Sequence, residues 1–357
     1  MQRVKILDYL RGGAMFLVIV QHCHFFSSEI LAFHMPLFFI LSGYIFKYKE
    51  ENGMCYKDIN LVEYVRKRFY RIMVPYFCFE FISFILTFSI HHLFRYLRLG
   101  DVYMNLDLKA AIIDSITCIQ TPSYMGIIPH LWFFPCMYVA DILFMIVKKY
   151  FNTNILLVIL GSLLLSFATQ FISFRLPFNI DTAFMGLFFL FVGYCCKSLI
   201  DNALKIKWGG VKLVFLIALL LPVFLYIVAK NDGSFLMFAN TYGNYLYAIP
   251  AALLGILIYI IFIGLLNRYH LLPVSLFLFL SKNSLLLFPL HLMFMNFFSK
   301  IFEFSQIDCL IQDGNVRSWA MLILVIVSVL LITPFINKKF PILTGNYIPK
   351  NKKNNYG

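Results

Sequence analysis

Ten apolar runs, each long enough at about 20 residues to cross a bilayer, follow one another along the chain and leave little sequence between them. They cover residues 8–27, 31–48, 69–93, 131–150, 154–173, 180–199, 211–229, 244–266, 280–303 and 318–337. Charged residues make up 13% of the chain and apolar ones 61%, with a mean hydropathy of +0.81. A soluble domain carries about a quarter charged residues, so this composition cannot clothe a water-exposed surface. The sequence predicts an all-α fold, a polytopic membrane bundle of about ten transmembrane helices over residues 1–337. A basic, Asn-rich cytoplasmic tail at 338–357 is expected to be disordered. Segment 271–281 reads as a short interfacial helix, and 94–130, with Asp101, Asp107 and Asp114, as a partial helix along the surface. No internal repeat or second domain is visible.

The net charge of +13 sits in short clusters between the runs. With the N-terminus in the cytoplasm and ten spans, 23 of the 30 Lys and Arg fall on the inner side and seven on the outer. That is the asymmetry of a multi-pass protein with both termini in the cytoplasm. Lipid is therefore the expected surroundings, and a nucleic-acid partner is not expected. Arg3 and Lys5 precede the first run as in a signal peptide, but Asp8, Arg11, Gln21, His22 and His24 interrupt it, so the span is expected to be retained. Of eight Cys none forms a C-x-x-C pair, and neither a disulfide framework nor a metal site is expected.

Polar residues inside spans cost about 2.5–3.5 kcal/mol each for Asp or Arg at mid-helix, so they mark candidate chemistry. Arg11 and His22 are eleven residues apart, three helical turns plus about 20°, and share one face about 16 Å apart along the axis. Asp8 lies a turn before Arg11. An interfacial Asp–Arg pair with a His packed between helices accounts for the same spacing. His34 lies on the return of the chain, as far beyond the turn near Ser28 as His22 is before it, so the two imidazoles should share one depth. Two imidazoles at one level would supply a general base and a polarising donor. Arg68 and Arg71 share a face at i,i+3; they read either as an ordinary cytoplasmic anchor or as a clamp for a polyanion, since guanidinium forks match phosphate oxygens. Asp141, in the fourth span, needs a partner; it would orient a histidine or stay protonated. Trp132 beside His130, Asp181 at the start of the sixth span and His291 in the ninth complete the set, and Ser42-Gly43 would let another helix come close.

These segments together resemble the acyltransferase 3 family, and within it the fucose 4-O-acetylase-like branch. The family's Arg-x10-His signature is matched by Arg11 to His22, and the branch's His-x-Pro-Leu-Phe-Phe-x-x-Ser-Gly-Tyr element by His34 to Tyr44. The stretch from Arg68 to Pro75-Tyr76, Leu131-Trp132-Phe133, Phe188-Phe189 through Gly193-Tyr194, and Lys282-Asn283-Ser284-Leu285 followed by His291 match in order. The resemblance implies an enzyme of a bacterial inner or plasma membrane that moves an acyl group, commonly acetyl from acetyl-CoA, onto a hydroxyl of a surface carbohydrate or its lipid-linked precursor. It implies acyl-CoA as donor substrate and no permanently bound cofactor. His22 would be catalytic with Arg11 its partner, His34 and Asp141 further catalytic residues, Arg68 and Arg71 ligands of coenzyme A phosphates, and Trp132, Asp181 and His291 substrate-binding. Asp141 departs from the Glu common in the branch. No esterase-like domain is expected after the membrane part. A polytopic exporter or flippase of glycan precursors is the alternative, disfavoured by the absence of a repeat; a structural scaffold is the third reading.

Overall fold

In lipid every backbone N–H and C=O must be paired within the chain, and a helix does this by itself. The computed structural model describes residues 5–96, 108–119, 131–151, 154–205, 209–231, 235–304 and 314–345. Among them ten helices run for 15 residues or more. They are α1 (Lys5–His22), α2 (His34–Glu51), α3 (Leu61–Arg68, continued by Phe69–Met73 and Val74–Tyr96), α4 (Phe133–Tyr150) and α5 (Ile155–Thr169). After these come α6 (Ile180–Cys195), α7 (Gly210–Lys230), α8 (Tyr245–Arg268), α9 (Val274–Phe304) and α10 (Gly314–Lys339). No strand occurs among the described residues, where pairing is limited to one bridge between Leu236 and Thr241.

Among the described residues seven helices are both long and apolar enough to cross a membrane, one running from Ser28 through α2 and the others in α3 and α6 to α10. The other three sit at expected spans but depart in ways the sequence explains. α1 carries Lys5, Asp8 and Arg11, α4 carries Asp141, Lys148 and Lys149, and α5 has 15 residues. At 1.5 Å per residue α5 reaches about 22 Å. Asn154 and Asn244 cap α5 and α8 by accepting from the amides of Leu156 and Leu246, which satisfies donors that a helix start leaves open.

Two close crossings set the frame. α2 lies against α6 so tightly that a Cβ on Gly43 would stand 1.9 Å from the Leu190 carbonyl oxygen, which fulfils the expectation for Ser42-Gly43. α1 lies against α9, where a Cβ on Gly12 would stand 2.0 Å from the Phe277 carbonyl oxygen. α6 is buried through most of its length, whereas α7 turns Val211, Phe215, Leu219 and Leu225 outward. An outward apolar face of this kind suits lipid.

Three expectations change. Residues 274–281 form no separate interfacial helix; they are the first turns of the 31-residue α9, which starts directly after Pro273, where a missing N–H costs nothing. The third helix starts before the expected residue 69, since α3 begins at Leu61, takes in the basic cluster and passes through a π turn at Phe69–Met73. Pro75 cannot donate to the Arg71 carbonyl, and such a gap in the ladder is relieved by a local widening of the helix. Within the expected disordered tail, α10 continues to Lys339 and a 3-10 turn follows at Pro341–Thr344. In the 94–130 segment a helix covers Leu108–Thr117; Asp101, Asp107 and His130 lie outside the described residues.

Candidate active site

Three helices, α1, α2 and α9, each run past two cavities, with Trp132 at the start of α4 beside the second, and the order of residues along them separates the two. The larger cavity, about 580 Å³, is reached by Arg11 on α1, Ser42 on α2, Arg68 and Arg71 on α3, Asp141 on α4 and Lys282 on α9. The smaller, about 140 Å³, is reached by His22 on α1, His34 on α2, Trp132 just before α4, and the loop Phe235–Phe238 between α7 and α8. Arg11 and His22 therefore open into different chambers. Their eleven-residue separation sets those chambers about 16 Å apart along α1.

At the arginine end four cations, Arg11, Arg68, Arg71 and Lys282, face one carboxylate, Asp141. Asn283, Ser284, Asn337 and Thr344 add neutral donors. Asp141 is 1% exposed and forms an ion pair with Arg68 through Oδ2, so its partner is a guanidinium and not a histidine. Its Oδ1 is buried and has no hydrogen-bond partner among the described residues. Tyr64 Oη accepts from Arg68 Nε at 3.1 Å, and the guanidinium also lies over the Phe46 and Tyr64 rings. Arg68 is thus held in one pose, while Arg71 is exposed on the same chamber across the π turn. Ser281 donates to Asp8 Oδ1 at 3.1 Å and Tyr259 to the Leu10 carbonyl at 2.8 Å, which pins α1 in place next to Arg11.

At the histidine end the rings are oriented by backbone. His34 is buried, and its Nδ1 donates to the Ile30 carbonyl at 2.8 Å. His291 is fully buried, its Nδ1 donates to the Leu287 carbonyl at 2.9 Å, and its ring lies 5.2 Å from that of half-buried His22. An imidazole that donates through Nδ1 keeps its lone pair on Nε2 when neutral. The expected shared depth of His22 and His34 is met, since both line the small cavity. His291 lines neither cavity and meets the site through its ring contact with His22.

Asp181 also lines neither. Buried, it pairs with Arg175 at 2.5 Å, and Arg175 donates in turn to the Phe238 carbonyl at 2.5 Å and to Thr182 Oγ1 at 3.1 Å. Thr182 donates to the Met237 carbonyl at 2.9 Å. This cluster fastens the Phe235–Phe238 loop over the small cavity, so Asp181 reaches that cavity only through the loop it helps to hold. Sequence reasoning missed Arg175, Thr182, Gln21 and Phe288. Arg175 sits in a largely apolar, irregular connection with no spacing to mark it, and Phe288 is one apolar residue in a long apolar run.

No curated protein and no solved structure matches this chain. The acyltransferase 3 family model, described as an acyltransferase domain, matches residues 4–337 and so takes in the histidine chamber, the arginine chamber apart from Pro341 and Thr344, and all ten long helices up to the last turn of α10. A match over nearly the whole length carries the assignment, and the protein belongs to the acyltransferase 3 family.

Proposed function

We propose that this protein is a membrane O-acetyltransferase of the fucose 4-O-acetylase-like branch, which takes acetyl from acetyl-CoA and places it on a hydroxyl of a surface carbohydrate or its lipid-linked precursor. The observation that carries the reading is the division of labour between the chambers: four cations against one carboxylate at one end, two imidazoles in a small cavity at the other. A nucleotide polyphosphate needs clustered donors and positive charge. Acyl transfer needs a base within reach of a hydroxyl and little water. We further propose that all ten long helices cross the membrane, with Arg11, Arg68 and Arg71 at the cytoplasmic end where the donor is made. The positive-inside pattern supports this orientation.

In the proposed reaction the acceptor hydroxyl oxygen attacks the thioester carbonyl as His22 takes its proton. The tetrahedral intermediate then collapses, the C–S bond breaks, and the leaving thiolate takes the proton from His22. If His22 instead carries the acetyl group, the thiol leaves before the acceptor binds and the kinetics are ping-pong. His34, with Nδ1 donating to the Ile30 carbonyl, would accept through Nε2 from the acceptor hydroxyl and so orient it, and His291 would fix the His22 ring. Mass spectrometry of surface glycans with and without the gene tests the reading. Deletion should remove O-acetyl groups while leaving the glycan at the surface, and His22→Ala should fail to restore them. A glycan that stays inside the cell, or acetylation that persists, would reject it.

A further inference from the structure

Phe288 is the one residue that lines both chambers among those described. On α9 it follows the Ser281–Leu285 turn of the arginine chamber and precedes His291, which touches His22. Its ring lies 4.9 Å from Phe133 and 6.1 Å from His291, and Phe133 lies 5.6 Å from Phe38. The three phenylalanines come from α9, α4 and α2, at the level where each helix passes from one chamber to the other. Phe288 is 5% exposed, so its ring fills the partition and does not fold out toward lipid.

A thioester held by its nucleotide in the first chamber must bring its acyl carbon past this ring to reach His22. We propose that Phe288 is the acyl-size filter of the enzyme: its ring leaves room for a short acyl group on the thioester and excludes longer ones. The inference rests on the reading of acyl-CoA as donor. A single methylene in an apolar pocket changes selection by about 10–200-fold, so one ring in a partition is enough to set chain length. Shape complementarity, not charge, does the sorting, which is why no polar residue is needed there.

The test uses the full-length protein in lipid nanodiscs, radiolabelled acetyl-CoA and butyryl-CoA, and as acceptor the glycan fraction of a strain lacking the gene. Phe288→Ala should raise the ratio of butyryl to acetyl transfer at least about tenfold. Phe288→Trp should lower acetyl transfer about as much while binding coenzyme A, measured by calorimetry, as the wild type does. Should Phe288→Ala fail to fold, Phe288→Leu should shift the ratio in the same direction by a smaller factor. An unchanged ratio in a folded variant, or a Phe288→Trp protein that loses coenzyme A binding together with transfer, overturns the inference while leaving the donor assignment standing. A wild-type enzyme that transfers from neither thioester overturns the donor assignment and the filter with it.

Discussion

The arginine chamber has about four times the volume of the histidine chamber, and the two are built from different chemistry on the same helices. The first gathers cations and neutral donors around a cavity open enough to admit a large polyanion. The second gathers imidazoles, Trp132 and a loop roof around a space suited to a few atoms. Recognition of a flexible phosphate-bearing donor rewards charge and room, because many weak contacts can be made in several poses. Acyl transfer rewards exclusion of water and rings held at one angle. A single helix can serve both needs because three turns separate Arg11 from His22, and the partition between them can be apolar.

Because the two chambers are lined by different residues, the two ends should fail differently. His22→Ala should lower transfer by about 10²–10⁴-fold, the range for loss of a general base, with coenzyme A affinity by calorimetry unchanged. A parallel fall in affinity would mean that the chambers are not separate. The next largest effect belongs to Asp141→Ala, which leaves Arg68 in a buried setting without its carboxylate. Breaking one side of a buried pair costs about 3–5 kcal/mol, and the low end applies because the Arg68 side chain keeps 22% of its surface open. Thermal unfolding in detergent should show the loss, and Arg68→Ala/Asp141→Ala together should cost less than the two singles added. Additive losses would show that the ion pair is not what holds that end.

Arg71→Ala should act on binding alone. The guanidinium lines the arginine chamber and is exposed there; with the proposed donor bound there, its loss removes a charged hydrogen bond of about 1.5–3 kcal/mol, or about 10–100-fold in coenzyme A affinity. Turnover at saturating donor should stay near wild type, as expected when ground state and transition state lose the same contact. A fall in kcat with no change in affinity would move Arg71 from the donor to the chemistry.

Much of this arrangement is legible in the sequence. The helices follow from apolar runs that only a bilayer accommodates, and Arg11, His22 and His34 follow from turns counted along them. What the sequence hid are contacts between distant segments. Asp181 carries the mark of a functional residue, a carboxylate at the start of a span, yet its partner Arg175 is six residues earlier in an irregular turn that no period describes. Asp141 announced a need for a partner but not which one, because Arg68 comes from another helix. Phe288 looks like any of its apolar neighbours until two cavities are seen to meet on it. The boundary errors have a local cause: Pro273 starts a helix that hydropathy places later, and charged residues at Leu61–Arg68, which hydropathy leaves outside the span, continue α3 toward its N-terminus.

The smallest expected effect lies on the roof of the histidine chamber and tests the division from its other side. Thr182→Val keeps the shape of the side chain and removes the hydrogen bond to the Met237 carbonyl together with the one accepted from Arg175. Arg175 retains Asp181, Asn179 and the Phe238 carbonyl, so it is not left bare. The net loss should be close to one ordinary hydrogen bond, about 1 kcal/mol, or about fivefold in a binding constant. Because the roof covers only the small cavity, that factor should appear in KM for the acceptor glycan and not in coenzyme A affinity. If Thr182→Val weakened the donor instead, the loop would have to reach past Phe288, and a partition between the two ends could no longer be maintained.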